Sequence, residues 1–150
     1  LQSEPDAHIV NVSSIFGLIG PPGQTAYAAS KFAIRGFSES LREELRMTTK
    51  IRVTTVHPAG IATPIAEQAR SSKSTTPAVR KAAEEYFKKV AVITPEETAS
   101  IIIQGILGNK NRVLIGSDAY RMDRMQRLFP NRAASIFADW LNKRAKHTKL

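Results

Sequence analysis

The sequence predicts an alternating α/β domain built on a parallel sheet, and three observations predict it. Short, β-branched, mostly apolar runs recur at 8–12, 51–56 and 113–116. A stretch of helical periodicity from about Thr25 to Arg46 separates the first two runs, and a strand–helix–strand unit of that length requires parallel strands joined by a crossover. The rest of the chain alternates helix and strand again, with no internal repeat and no low-complexity tract.

The first strand, His8-Ile9-Val10-Asn11-Val12, stops at Ser13-Ser14, and a loop punctuated by Gly17, Gly20, Pro21, Pro22 and Gly23 follows. In the helix, Phe32, Phe37, Leu41 and Leu45 recur at spacings of four and five, while Glu39/Glu43 and Arg42/Arg46 share faces. Ile51–Val56 forms the second strand, closed by His57-Pro58-Ala59-Gly60. Residues 62–76 are rich in Ser, Thr and Lys and read as a mobile loop. Pro77 suits the first turn of a helix to about Val90, with Glu84-Glu85 and Lys88-Lys89 forming i,i+4 pairs on a solvated face. Thr94-Pro95-Glu96-Glu97 is a helix start with a capping box, and that helix stops at Gly108. Val113–Gly116 is the third strand, and helices near 118–129 and 133–146 close the chain, parted by Pro130-Asn131.

Composition bounds the function. The 150 residues are 42% hydrophobic and 23% charged, which is globular and not disordered. With no cysteine, disulfides, thiolate metal sites and a cysteine nucleophile are excluded, and a reducing, cytoplasmic compartment is the better fit. His8, His57 and His147 lack metal-ligand spacing, so no metal site is expected, and His57 before Pro58 reads as structural. No run approaches the roughly eighteen apolar residues of a membrane span. The start, Leu1-Gln2-Ser3-Glu4-Pro5-Asp6, lacks both Met and a basic leader, and reads as a chain entered partway through. The net charge of +9 is uneven: residues 110–150 hold ten basic and three acidic side chains, leaving +2 for the body.

Chemistry concentrates in the body. Tyr27 and Lys31 lie four residues apart on the long helix, so they leave one face a turn apart. Ser14 ends the preceding strand, at the carboxyl edge where parallel sheets place their ligand crevice. A phenol, with an ordinary pKa of about 10, becomes a useful acid or base beside an ammonium that favours the phenolate. A serine hydroxyl next to it can hydrogen-bond a carbonyl or carbinol oxygen. The set is suited to proton transfer at a C–O centre. Phe16, Leu18 and Ile19 are candidates for an apolar pocket, and Phe129, Phe137, Trp140 and Leu141 for packing on the body or on a partner.

Asn11-Val12-Ser13-Ser14, Tyr27-Ala28-Ala29-Ser30-Lys31 and Pro58-Ala59-Gly60-Ile61-Ala62-Thr63 together resemble the short-chain dehydrogenase/reductase family. The resemblance implies a Rossmann-type doubly wound parallel sheet. It makes this chain the C-terminal part of one such domain: the catalytic strand–helix–strand at 8–63, a substrate-loop region at 62–93, and closing helices and strand at 94–146. It further implies that Ser14 polarises the substrate oxygen, that Tyr27 is the general acid/base, that Lys31 assists Tyr27, and that Tyr27 and Lys31 both bind the cofactor, Lys31 at its ribose. Pro58, Gly60, Ile61 and Thr63 would meet the nicotinamide end and the phosphates of NAD or NADP. Ala59 departs from the family's usual glycine. The family's glycine-rich phosphate turn, its NAD/NADP-selecting residue and its upstream asparagine are absent from these residues, so the chain alone is expected to be inactive. The expected function is hydride transfer between NAD(P) and an alcohol or ketone, by a homodimer or homotetramer.

Two other readings belong to different classes. One is a non-catalytic dinucleotide-binding sensor or scaffold on the same fold, against which the intact Ser14, Tyr27 and Lys31 argue. The other is contact with nucleic acid or an anionic membrane through Arg121, Arg124, Arg127, Lys143, Arg144, Lys146 and Lys149. No nucleic-acid motif accompanies those cations, and a solvated basic surface is the simpler account.

Overall fold

The computed structural model describes residues 7–69 and 75–147, leaving out the side chains of 141, 142 and 144–147. The start at Leu1–Asp6, part of the polar loop, the Leu141, Arg144 and Lys146 side chains, and Lys149 therefore lie outside the described residues.

Three parallel strands, β1 (His8–Val12), β2 (Arg52–Pro58) and β3 (Arg112–Ile115), form a sheet in the order β1-β2-β3. The pairing runs from His8↔Arg52 to Val12↔Val56 on one side of β2, and from Thr55↔Arg112 to Pro58↔Ile115 on the other. Sequence placed the end of β2 at Val56. The strand continues through His57 and Pro58 because β3 pairs with both, and the Ala59 amide just beyond donates to the Ile115 carbonyl at 3.0 Å, so the ladder there needs no N–H from Pro58.

The described residues form six helices, α1 (Thr25–Thr48), α2 (Ile65–Gln68), α3 (Pro77–Val90), α4 (Pro95–Leu107), α5 (Ser117–Leu128) and α6 (Ala133–His147), of which α1, α4 and α5 pack on the sheet. Strand alternation sends Asn11, Ser13 and Thr55 to one face, where α1 meets them: Asn11 Nδ2 donates to Ser38 Oγ at 2.9 Å, and Arg42 reaches Thr55 Oγ1 at 3.1 Å. Arg112 bridges from that face to Asp123 of α5 and Glu39 of α1. Val10 and Val56 point to the opposite face, where Ile101 and Ile102 of α4 pack on the Val56–Val113–Ile115 cluster. Helices thus cover both faces, the doubly wound arrangement of the Rossmann type. A second cluster, Ile19, Met122, Ala133 and Phe137, seats α5 and α6 against the turn after β1.

Local signals hold with some corrections. Thr94 caps α4, its Oγ1 accepting from the Glu97 amide at 3.1 Å, but no return bond from the Glu97 carboxylate completes a box among the described residues. The expected pairs within 84–89 do not form. Glu84 instead takes Arg80, and Lys88 reaches Glu67 of α2 at 2.8 Å, because that carboxylate lies in reach across the loop. The polar loop itself contains the short helix α2. No described helix is long and apolar enough to cross a membrane.

Candidate active site

The carboxyl edge of the sheet brings the expected residues together. Beyond β1 the chain makes a 3-10 turn at Ile15–Gly17, capped by Ser14, whose Oγ accepts from the Phe16 amide at 3.2 Å. The Ser14 hydroxyl proton has no acceptor among the described residues, so it is free to donate to a ligand. Ser13 is not equivalent: it is buried, and its Oγ donates to the Lys31 carbonyl at 2.8 Å. That bond selects Ser14 over Ser13 as the available hydroxyl. The turn lies so close to α1 that a Cβ on Gly17 would collide with Ser13 Oγ and the Lys31 carbonyl.

Tyr27 sits in the first turn of α1, 39% exposed, with no hydrogen bond to its hydroxyl among the described residues. The Phe16 ring meets it edge to face at 6.2 Å, so one residue contacts Ser14 through its backbone and Tyr27 through its ring. Lys31 Nζ stands 5.5 Å from the Tyr27 ring centroid and donates to the Val12 carbonyl at 3.2 Å. An ammonium has three donors, and two remain for a ligand.

Pro58, Gly60, Ile61 and Thr63 lie at the same edge, one strand over. Their backbone is pinned from behind, by Ala59 N to Ile115 O at 3.0 Å and Ala62 N to Ile93 O at 2.8 Å. Gly60 runs against Val90–Ala91, where a Cβ would sit 2.9 Å from the Val90 carbonyl oxygen. The Gly60 and Ile61 amides have no acceptor among the described residues, which leaves two N–H donors for an incoming acceptor. No hydrogen bond joins this set to Ser14, Tyr27 and Lys31 among the described residues.

Other expectations are redistributed. Leu18 and Ile19 are each 1% exposed and belong to the core, because the 3-10 turn rolls them inward, so of that trio only Phe16 faces the site. Phe137 packs as expected, 6.2 Å from Phe16 and stacked on Trp140, whereas Phe129 is exposed. Among the basic residues, Arg121 pairs with Asp118, and Arg127 with Asp123. His57 is fully buried on β2, with Nδ1 3.0 Å from the Ser14 carbonyl oxygen. Burial pulls its pKa down to about 4, with Arg112 and Arg35 adding to the shift, and the Ser14 carbonyl and Asp123 opposing it. Sequence reading assigned His57 only a structural part and missed this contact. The one available signal was its place just before the Pro58–Thr63 segment, in a strand that must neighbour β1.

Known proteins resemble this chain in sequence and in fold. Residues 1–74 match the profile of the short chain dehydrogenases. The chain is similar to SadH of Mycobacterium tuberculosis, which is named as an oxidoreductase, with 41% identity over 124 residues, 82% of this chain and 44% of SadH. It is also similar to a cyclopentanol dehydrogenase of Comamonas testosteroni, at 53% over 60 residues, 40% of this chain and 24% of that enzyme. Among solved structures, a short chain dehydrogenase/reductase from Burkholderia phymatum in complex with NAD superposes with TM-score 0.69 at 23% identity, over 81% of this chain and 47% of that one. A Burkholderia cenocepacia short chain dehydrogenase in complex with NADP gives TM-score 0.61 at 22% identity, over 82% and 44%. The chain spans less than half the length of each of these proteins. On its motifs, its sheet and these similarities, the chain belongs to the short-chain dehydrogenase/reductase family.

Proposed function

We propose that these residues are the catalytic part of an oxidoreductase that interconverts an alcohol and a ketone, with Tyr27 as general acid/base. The observation that carries this reading is the convergence of a free Ser14 hydroxyl, an exposed Tyr27 phenol and the Lys31 ammonium around Phe16. In the reducing direction Ser14 donates a hydrogen bond to the substrate carbonyl oxygen, and Tyr27 gives up its O–H proton to that oxygen as the alcohol forms. Lys31 keeps a positive charge beside the phenolate so produced. The oxidising direction reverses each step, Tyr27 accepting the alcohol proton.

The donors at the sheet edge fit a nicotinamide dinucleotide. Lys31 has two N–H groups to offer ribose hydroxyls, while the Gly60 and Ile61 amides and the Thr63 hydroxyl can take carboxamide or phosphate oxygens. When bound, NAD or NADP supplies or accepts the hydride. The complexes of the two Burkholderia proteins support such a cofactor, and the likeness to cyclopentanol dehydrogenase supports an alcohol as substrate.

The test is turnover by the full-length protein on a panel of alcohols and ketones with each cofactor. Tyr27→Phe should lower kcat by about a hundredfold or more while cofactor affinity stays within about threefold. Undiminished turnover in that variant overturns the mechanism.

We infer also that the whole protein is a cytoplasmic homodimer or homotetramer in which these residues complete one Rossmann-type domain. On the exposed α1 stripe Ala29, Ala33 and Phe37, at four-residue spacing, the Phe37 ring supports the oligomer, since a large apolar group left in water favours association. Phe37→Asp should shift the full-length protein to a smaller species in sedimentation velocity, and an unchanged sedimentation coefficient would count against this surface.

A further inference from the structure

His57 is more than filling. A carbonyl oxygen can only accept, so the imidazole nitrogen 3.0 Å from the Ser14 oxygen carries the hydrogen, and the ring is the neutral Nδ1–H tautomer. Nε2 is then a bare acceptor, buried and without a partner among the described residues. An aliphatic side chain would fill the same space without an orphaned acceptor. What it could not supply is the hydrogen bond to Ser14.

That bond lands on the atom that closes the turn. The Ser14 carbonyl also accepts from the Gly17 amide at 3.0 Å, so two donors converge on it. With the carbonyl fixed, Ser14 Oγ is held to the Phe16 amide, and the Phe16 ring is held against Tyr27. Arg35 supports the far side of the turn, its Nη1 reaching the Gly17 carbonyl at 3.4 Å.

We propose that His57 is a positioning residue: its Nδ1–H anchors the Ser14 carbonyl, and so aims the Ser14 hydroxyl and, through Phe16, the Tyr27 ring. The proposal rests on the reading of the site given above. It predicts a kcat effect, because the groups that meet substrate and cofactor remain in place and only their aim changes.

The test uses the full-length protein. His57→Leu should lower kcat about tenfold or more, with substrate and cofactor KM within about threefold and the circular dichroism spectrum retained. His57→Asn, whose amide N–H can take the place of Nδ1–H, should recover most of the loss. In the wild type, nitrogen-15 NMR should find the Nδ1–H tautomer, and the Phe16 amide should exchange faster in His57→Leu than in His57→Asn. Undiminished kcat in His57→Leu, Asn no better than Leu, or an Nε2–H tautomer would each overturn the proposal. Tautomer and amide exchange need no turnover, so they decide the anchoring even where Tyr27→Phe contradicts the reading of the site. A His57→Leu chain that fails to fold leaves the tautomer and the Asn variant to decide.

Discussion

At the scale of single residues, burial decides roles that residue type leaves open. Ser13 and Ser14 are chemically identical neighbours, yet one is spent on the Lys31 carbonyl and the other keeps a free proton. His57 shows the same principle in its ionisation. The unfolded chain takes a proton on this histidine near 6.5, whereas the folded chain resists until about 4. Between those values the unfolded state binds more protons, so stability is complete above 6.5 and falls as pH drops toward 4. His8, also lowered by burial and by Arg52, acts with the same sign. Acidification from pH 7 to 4 should cost roughly 3 kcal/mol through His57, read as the drop in urea midpoint. His57→Asn should remove that part of the pH dependence, and an unchanged pH profile in the variant would show that other groups carry it. The candidate residues Ser14, Tyr27 and Lys31 could be picked out in sequence because their spacing is local to one strand–helix unit. The His57–Ser14 bond was not, because it joins residues 43 apart in the chain.

At the scale of elements, the boundaries were set by partners that sequence periodicity does not report. The helices α3 and α4 start and stop within a few residues of the expected positions, since their threonine caps and prolines are local signals, and α1, which has no side-chain cap, follows its periodicity. β2 ran two residues past its apolar run because β3 pairs there. The fit of α4 on β3 depends on Gly105, where a Cβ would collide with Val113 Cγ2. Valine is short and stiff at χ1, so it cannot swing aside. Gly105→Ala should therefore destabilise by about 1–3 kcal/mol despite alanine's better helix propensity. Adding Val113→Ala should cost less than it does alone, and strict additivity in a double-mutant cycle would show that the two do not meet.

At the scale of the whole molecule, charge proved to be partly internal. The +9 suggested a basic tail in solvent, yet Arg112 and Arg127 converge on Asp123, whose side chain is 15% exposed, and Glu39 of α1 joins them. This network ties α1, β3 and α5 together beside an open groove of about 600 Å³ whose lining includes Arg35, Glu39, Arg42, Arg112, Asp123 and Arg127. Burial lowers the Arg112 pKa and Asp123 opposes that shift, so the pair is more than a screened surface contact. Asp123→Ala should destabilise by about 1–3 kcal/mol in urea unfolding, since it leaves the Arg112 guanidinium short of its acceptor. Asp123→Ala combined with Arg112→Met should recover part of that loss, and a double variant as unstable as the sum of the singles would argue against the pairing.

By itself the sequence determined the alternating α/β order and the parallel sheet, and it pointed to Ser14, Tyr27 and Lys31 as candidates, because strand and helix periods, caps and one-turn spacings are properties of short segments. Only the tertiary structure decided which serine is free, that Leu18 and Ile19 turn into the core, and that Lys88 answers to Glu67. It alone placed His57 beneath Ser14 and Arg112 against Asp123. Each of these depends on which strand lies beside which and which helix covers which face, and those are long-range contacts that no local pattern encodes.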